Sequence, residues 1–253
     1  ILTLLGVRHA VVAITKSDAV DTAHLAAVEA AVRDALAATS FPDAALVPVS
    51  AATGDGLDAL RDALVDAAAA TPDRTAAGRA RLPVDRSFAL HGIGTVVTGT
   101  LWSGALAEGD QVVVEPSGRT ARVRSVQVHG RDCAVAPAGS RVAAALVGVE
   151  RADVPPGSVL WTGTPATPSY RLDVAVDLLP DAAALRRGEP IEVLHGTAAV
   201  HGKAVVLGGG DLGGGGHGLV QLRLDAPVAA LRGDRIVLRR LAPPGTIGGA
   251  TVL

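Results

Sequence analysis

The chain has 253 residues, 49% hydrophobic and 19% charged, with a net charge of -2, so it can bury real cores in two or three domains, and contact with nucleic acid would need local basic patches rather than a global field. No apolar run approaches the roughly 18 residues needed to span a bilayer, no signal peptide opens the sequence, and the one cysteine, Cys133, cannot close an internal disulfide, which points to the cytoplasm and away from the membrane. Aromatic residues are 2% of the chain, too few for stacking platforms that hold single-stranded nucleic acid.

Residues 1 to 74 alternate helix and strand. Ile1 to Leu5 reads as the tail of a helix closed by Gly6. Ala10 to Ile14 is an apolar run expected to be a strand buried on both faces. Asp21 or Thr22 caps a helix through about Thr39, with Leu25, Val28, Val32 and Leu36 at helical spacing. Leu46 to Val49 is a second strand, and Leu57 to Ala70 a second helix that ends before Pro72. This order means part of a parallel α/β sheet. The first residue is Ile1, and the chain opens inside an amphipathic pattern, so it is read as a fragment. The acid excess sits here: residues 1 to 79 carry six Lys and Arg against ten Asp and Glu, and the other two thirds are near neutral.

Residues 75 to 81 form a linker by composition. From Leu82 the pattern has period two, and residues 82 to 163 are expected to close into an antiparallel barrel. Its first strand, LPVDRSFAL, alternates Val84, Phe88 and Leu90 inward and interrupts the pattern with Asp85 and Arg86. On its own such a pair reads as a solvated edge. Residues 164 to 169, with Pro165 and Pro168, are a second linker, and residues 170 to 253 a second all-β barrel. The Gly208 to Gly218 run lies between two strands rather than before a helix, and reads as a flexible hairpin loop. The seven histidines have no metal-ligand spacing, and no nucleophile, base and orienter set is found, so neither a metal site nor a catalytic residue is assigned.

Ligands of open α/β sheets bind outside the carboxyl ends of the strands. The loops there are Thr15-Lys16-Ser17-Asp18 and Ser50-Ala51-Ala52. TKSD resembles the NKxD guanine-recognition motif of GTP-binding proteins, with threonine in place of asparagine, and VSAATGDGLDAL resembles their SAK-type loop. The resemblance implies a guanine site at Thr15, Lys16, Asp18, Ser50, Ala51 and Ala52. A carboxylate at Asp18 would accept from the ring N-H and the exocyclic amine, the Lys16 stem would lie over the base, and the N-H groups of Ser50 and Ala51 would meet its carbonyl. Lysine occurs only twice, at Lys16 and Lys203, against 21 arginines, which suggests a specific need. The α/β third has neither a GxxxxGK[ST] phosphate loop nor a DxxG segment, so these residues alone are not expected to hydrolyse GTP.

A guanine-binding half domain followed by two barrels resembles translational GTPases of the elongation factor Tu type. LPVDRSFALHGIGTVVTGT, QVHGR at Gln127 to Arg131, AGSRVA at Ala138 to Ala143, RGDRIVLRR and TIGGATVL are more closely similar to the selenocysteine-specific elongation factors. The resemblance implies GTP or GDP as ligand, Mg²⁺ with the rest of the nucleotide domain, and selenocysteinyl-tRNA and the ribosome as partners. It also implies a messenger-RNA hairpin recognised through a C-terminal region beyond Leu253. The aminoacyl pocket would be Asp85, Arg86 and Arg141. General elongation factors typically have an acid and an amide where Arg86 and Arg141 stand. A selenol is a stronger acid than a thiol, whose pKa is about 8.5, so two guanidiniums would favour the selenolate over serine, with a buried unpaired charge as the penalty for an unsuited occupant. Arg122, Arg124 and Arg131 are candidate tRNA backbone contacts. The competing expectations are a general elongation factor or other translational GTPase, and a barrel module without nucleotide or tRNA binding.

Overall fold

The apolar runs at Val11 and Ala45 form a parallel pair, β1 (Val11–Ile14) and β2 (Ala45–Pro48), with Val11 opposite Ala45 and Ile14 opposite Pro48. A helix follows each, α1 (Thr22–Ala37) and α2 (Leu57–Ala69). Asp21 caps α1 by accepting the His24 N-H at 2.8 Å, and Leu25, Val28, Val32 and Leu36 are its half-buried stripe. The chain enters α2 through Gly56 at φ 74°, where a Cβ would lie 2.1 Å from the Pro48 carbonyl oxygen, so only glycine fits.

Two expectations change in this unit. Leu2 to Gly6 make hydrogen-bonded turns, with the Gly6 N-H on the Thr3 carbonyl at 3.0 Å, instead of a helix. So few residues do not offset the cost of helix nucleation. Within β1 only Ile14 is buried; Val11 and Val12 are half-buried and Ala13 exposed, because β2 is the strand's one neighbour among the described residues.

The computed structural model describes residues 1–72 and 77–253, and the α/β unit is separate from an all-β unit that runs to Leu253. Residues 74 to 76, where the first domain was expected to end and the linker to begin, lie outside the described residues. Ala80 and Arg81, which that linker included, are 1% and 4% exposed, and Arg81 opens a strand.

The first barrel is built from β3 (Arg81–Leu90), β4 (Gly94–Thr100), β5 (Ala105–Ala107), β6 (Gln111–Glu115), β7 (Arg119–Val128), β8 (Arg131–Cys133), β9 (Val135–Pro137), β10 (Arg141–Val147) and β11 (Val159–Thr162). Six of these close antiparallel in the order β10-β4-β3-β11-β6-β7 and back to β10, with β8 added to β7, and β5 and β9 as a separate ribbon. Strands β5, β8 and β9 were not anticipated: three residues are too few for alternation to register. The second barrel holds β12 (Ser169–Leu178), β13 (Glu189–His195), β14 (Ala198–Val206), β15 (His217–Val228), β16 (Arg235–Arg240) and β17 (Gly245–Val252), closed in the order β12-β15-β14-β13-β16-β17. Each encloses its own core. Leu82, Val84, Val97 and Leu146 belong to the first, and Val174, Val193, Leu222 and Leu238 to the second.

The alternation in β3 changes phase partway. Val84 pairs with Gly99 but Arg86 pairs with Thr98, so Asp85 is an extra residue in a β-bulge. Beyond it the buried position falls on Ser87, at 8% exposure, while Phe88 is half-buried and Leu90 is 43% exposed. The glycine-rich connection also differs from a free loop: Leu185 and Leu212 exchange backbone hydrogen bonds of 2.8 and 3.0 Å, which pins its middle to the second barrel.

Candidate functional site

The bulge is what makes the charged cluster. It turns Asp85 and Arg86 out of the barrel wall together, beside β4, whose other neighbour β10 begins at Arg141 opposite Thr100. Gly99 permits the approach, since a Cβ there would sit 2.1 Å from the Pro83 carbonyl oxygen. Arg141 grips Asp85 with both terminal nitrogens: Nη1 donates to Oδ2, and Nη2 donates to Oδ1 at 3.1 Å. Thr98 Oγ1 donates to Asp85 Oδ1 at 2.6 Å. Partial burial alone would raise the Asp85 carboxyl, but the hydrogen bonds from Arg141 and Thr98, with the charges of Arg141 and Arg86, outweigh it and hold the group below the usual carboxylate value. Asp85 in turn raises Arg141.

Arg86 is exposed and makes no side-chain hydrogen bond among the described residues. The three groups therefore carry one net positive charge, not two. The Arg141 side chain is 53% exposed and Asp85 28%. This corrects the expectation of a buried unpaired charge: Asp85 is paired and both side chains reach solvent, so a penalty can arise only when a ligand covers the cluster. Beside Arg141 a cavity of about 310 Å³ is lined by Thr98, Gln127, His129, Gly130, Val142 and Ala143. His129 and Gly130, both at positive φ, form the two-residue turn between Val128 and Arg131. Gln127 and His129 were not singled out as site residues, although the QVHGR stretch that contains them was noted.

The candidate backbone contacts separate. Arg122, Arg124 and Arg131 are all exposed, but Arg124 Nη1 donates to the Gly92 and Ile93 carbonyls at 3.3 and 3.2 Å and braces the β3–β4 hairpin. A row on the second barrel was missed. Register places Arg171 opposite Arg223 and Arg223 opposite Lys203 on three neighbouring strands, all exposed and with no salt bridge among the described residues. Like charges directly opposite destabilise a sheet. Only strand pairing reveals this row, because its members lie up to 52 positions apart.

In the α/β unit, the Ser17 N-H donates to the Val49 carbonyl at 3.1 Å and joins the two loops. Thr15, Lys16 and Asp18 are exposed, and Lys16 sits at φ 59°, uncommon for a residue with a side chain. Ser50 is buried, and its own N-H is taken by the Asp55 carbonyl at 2.9 Å. Its Oγ accepts from the Ala52 and Thr53 N-H groups, each at 3.2 Å. This corrects the expectation that the Ser50 N-H meets a ligand. The Ala51 N-H has no partner among the described residues, and Ser50 shapes the loop.

A buried cluster joins the barrels. Arg81 of β3 donates through Nη1 and Nη2 to Asp234 Oδ1 and Oδ2, at 2.7 and 2.5 Å, and His195 Nε2 lies 2.8 Å from Asp234 Oδ2. The guanidinium carbon lies 4.8 Å from the Trp102 ring centre and 4.9 Å from that of Trp161, the only two tryptophans of the chain. Burial pushes the Asp234 carboxyl up, but hydrogen bonds from Arg81, His195 and the Leu231 N-H bring it far below the usual carboxylate range.

Comparison with known proteins agrees across these regions. Residues 171–253 match the profile of the selenocysteine-specific elongation factor β-barrel domain, and residues 94–161 that of elongation factor Tu domain 2. A selenocysteine-specific elongation factor of Desulfomicrobium baculatum is 37% identical over the whole chain, and that of Escherichia coli K12 is 32% identical. The chain spans about 40% of the length of these relatives. The crystal structure of a bacterial selenocysteine-specific elongation factor superposes with a TM-score of 0.87 at 29% identity, covering 98% of this chain and 40% of that one. The factor of Methanococcus maripaludis in complex with the GTP analogue GppNHp gives 0.81 at 25% identity, covering 96% and 58%.

Proposed function

The chain belongs to the family of selenocysteine-specific elongation factors, and from that premise we propose that it serves a GTP-dependent carrier that brings selenocysteinyl-tRNA to the ribosome. The first barrel reads the aminoacyl group at Asp85, Arg86 and Arg141. The observation that carries this reading is the placement of Arg86 and the Asp85–Arg141 pair on one face, beside a cavity able to take a small side chain. Selenocysteine is anionic at neutral pH, whereas serine is not. Arg86 offers a guanidinium not yet hydrogen-bonded, and Arg141 keeps unused N-H donors after its two contacts with Asp85. When the tRNA covers the cluster and excludes water, a selenolate balances its net charge, and a serine hydroxyl leaves it uncompensated.

The guanine end of a nucleotide fits the first unit: Asp18 would take the base edge, Lys16 its face and the Ala51 N-H its carbonyl, with Thr15 and Ala52 completing the loops. Mg²⁺ would sit at the phosphates, held largely by phosphate and water oxygens, and none of the base-binding residues named here is proposed as its ligand. Competition between selenocysteinyl-tRNA and ordinary aminoacyl-tRNAs for the protein tests the proposal. Preference for the selenocysteinyl form supports it, and equal binding of seryl-tRNA refutes it.

A further inference from the structure

We infer that Arg81 is a positioning residue for RNA binding: its buried clasp with Asp234 and His195 fixes the two barrels as one body, so that contacts on both act on a single RNA. This rests on the tRNA reading above but concerns a different part of the molecule. Arg81 is the first residue of the strand that reaches Asp85 and Arg86, yet its side chain is bound by the other barrel. The side chains of Arg81 and Asp234 are 5% and 11% exposed, so the pair is shielded from the solvent and salt that weaken surface pairs.

The surroundings hold the clasp in one geometry. Trp102 and Trp161 of the first barrel flank the guanidinium, Trp102 meets the His195 ring edge-on at 5.9 Å, and the Arg81 carbonyl accepts the Trp102 backbone N-H at 2.7 Å. Gly196, beside His195, sits at φ 57°, and a Cβ there would lie 3.1 Å from the Trp102 ring. The barrels also approach closely at Gly157, where a Cβ would lie 3.3 Å from the Ala198 Cα, and the chain crosses between them through residues 163 to 168. Neither approach carries a charge, so the clasp is the ionic link among the described residues. Two weak contacts on a linked pair reinforce each other only when their spacing suits the ligand. The contacts so joined are the aminoacyl cluster on the first barrel and the Arg171, Arg223 and Lys203 row on the second.

The test uses Arg81→Met, Asp234→Asn and the double variant, which strands neither charge. Nitroxide labels at Thr120→Cys and Asp181→Cys, in a Cys133→Ser background, report the distance between barrels. RNA binding is measured with full-length selenocysteinyl- and seryl-tRNA and with a short aminoacylated acceptor hairpin that cannot reach both barrels. The expected result is a broadened distance distribution with unchanged circular dichroism, and a loss of tenfold or more in affinity for both full-length tRNAs. Hairpin affinity stays within twofold, and the ratio of selenocysteinyl to seryl binding is preserved. A distribution as narrow as that of the unsubstituted protein, or an equal loss for hairpin and full-length tRNA, overturns the inference. If the unsubstituted protein shows no preference for the selenocysteinyl form, the proposed function fails while the distance measurement still decides the clasp.

Discussion

Arg141 holds both carboxylate oxygens of Asp85 with its two terminal nitrogens, so one guanidinium of the cluster is fixed in orientation and the other, Arg86, keeps its side chain free of hydrogen bonds among the described residues. A lysine at 141 would keep the charge but not the fork. Arg141→Lys is expected to reduce the preference for selenocysteinyl over seryl tRNA by about tenfold, the scale of one charge-assisted hydrogen bond. Competition binding checks this; full retention would mean that charge alone, without orientation, sets the preference.

Acid should act on the clasp between the barrels. The Asp234 carboxyl titrates far below its ordinary value of 3.8, so its stabilisation is complete above that value and is lost as pH falls through the lower folded value. Thermal melts from pH 6 to pH 2 are expected to show a steep decline below about pH 4. The decline should be shallower in Asp234→Asn, which has no carboxyl to protonate. Parallel declines in the two proteins would show that other groups control the acid limb.

Gly99 is required by space rather than by backbone angle. Gly99→Ala drives a Cβ to 2.1 Å from the Pro83 carbonyl oxygen and should part β3 from β4. A fall in melting temperature of about 5 °C or more is expected. Gly245→Ala, with open space around the new atom, should be close to neutral in the same assay.

The strand-to-strand row of cations should reveal itself through salt. Replacing Arg171, Lys203 and Arg223 together by glutamine is expected to flatten the dependence of log affinity for tRNA on log salt by about 2. The ratio of selenocysteinyl to seryl binding should not change. An unchanged slope would place the RNA elsewhere.

The elements long enough to show a period could be read from the sequence, and so could the chemistry of Asp85, Arg86 and Arg141, because two charges inside an apolar strand pattern need an explanation. Their geometry could not. The bulge at Asp85 reverses which side of β3 faces inward, and no residue type in LPVDRSFAL announces it. The pairing of Asp85 with Arg141, 56 positions away, depends on β4 lying between their strands. Arg81 looked like linker because the alanines, glycine and charges before it carry no period, and its meaning comes only from Asp234 and His195, which barrel packing brings to it. Ser50 was assigned to the ligand by analogy of motif, whereas its buried hydroxyl and N-H are both engaged within its own loop.

The most direct measurement is the ratio of affinities for selenocysteinyl- and seryl-tRNA in Arg86→Ala, Arg141→Ala and the double variant, each compared with the unsubstituted protein. The account predicts a fall of tenfold or more for each single variant and a ratio near one for the double. A double variant that still prefers the selenocysteinyl form by the original factor would contradict it.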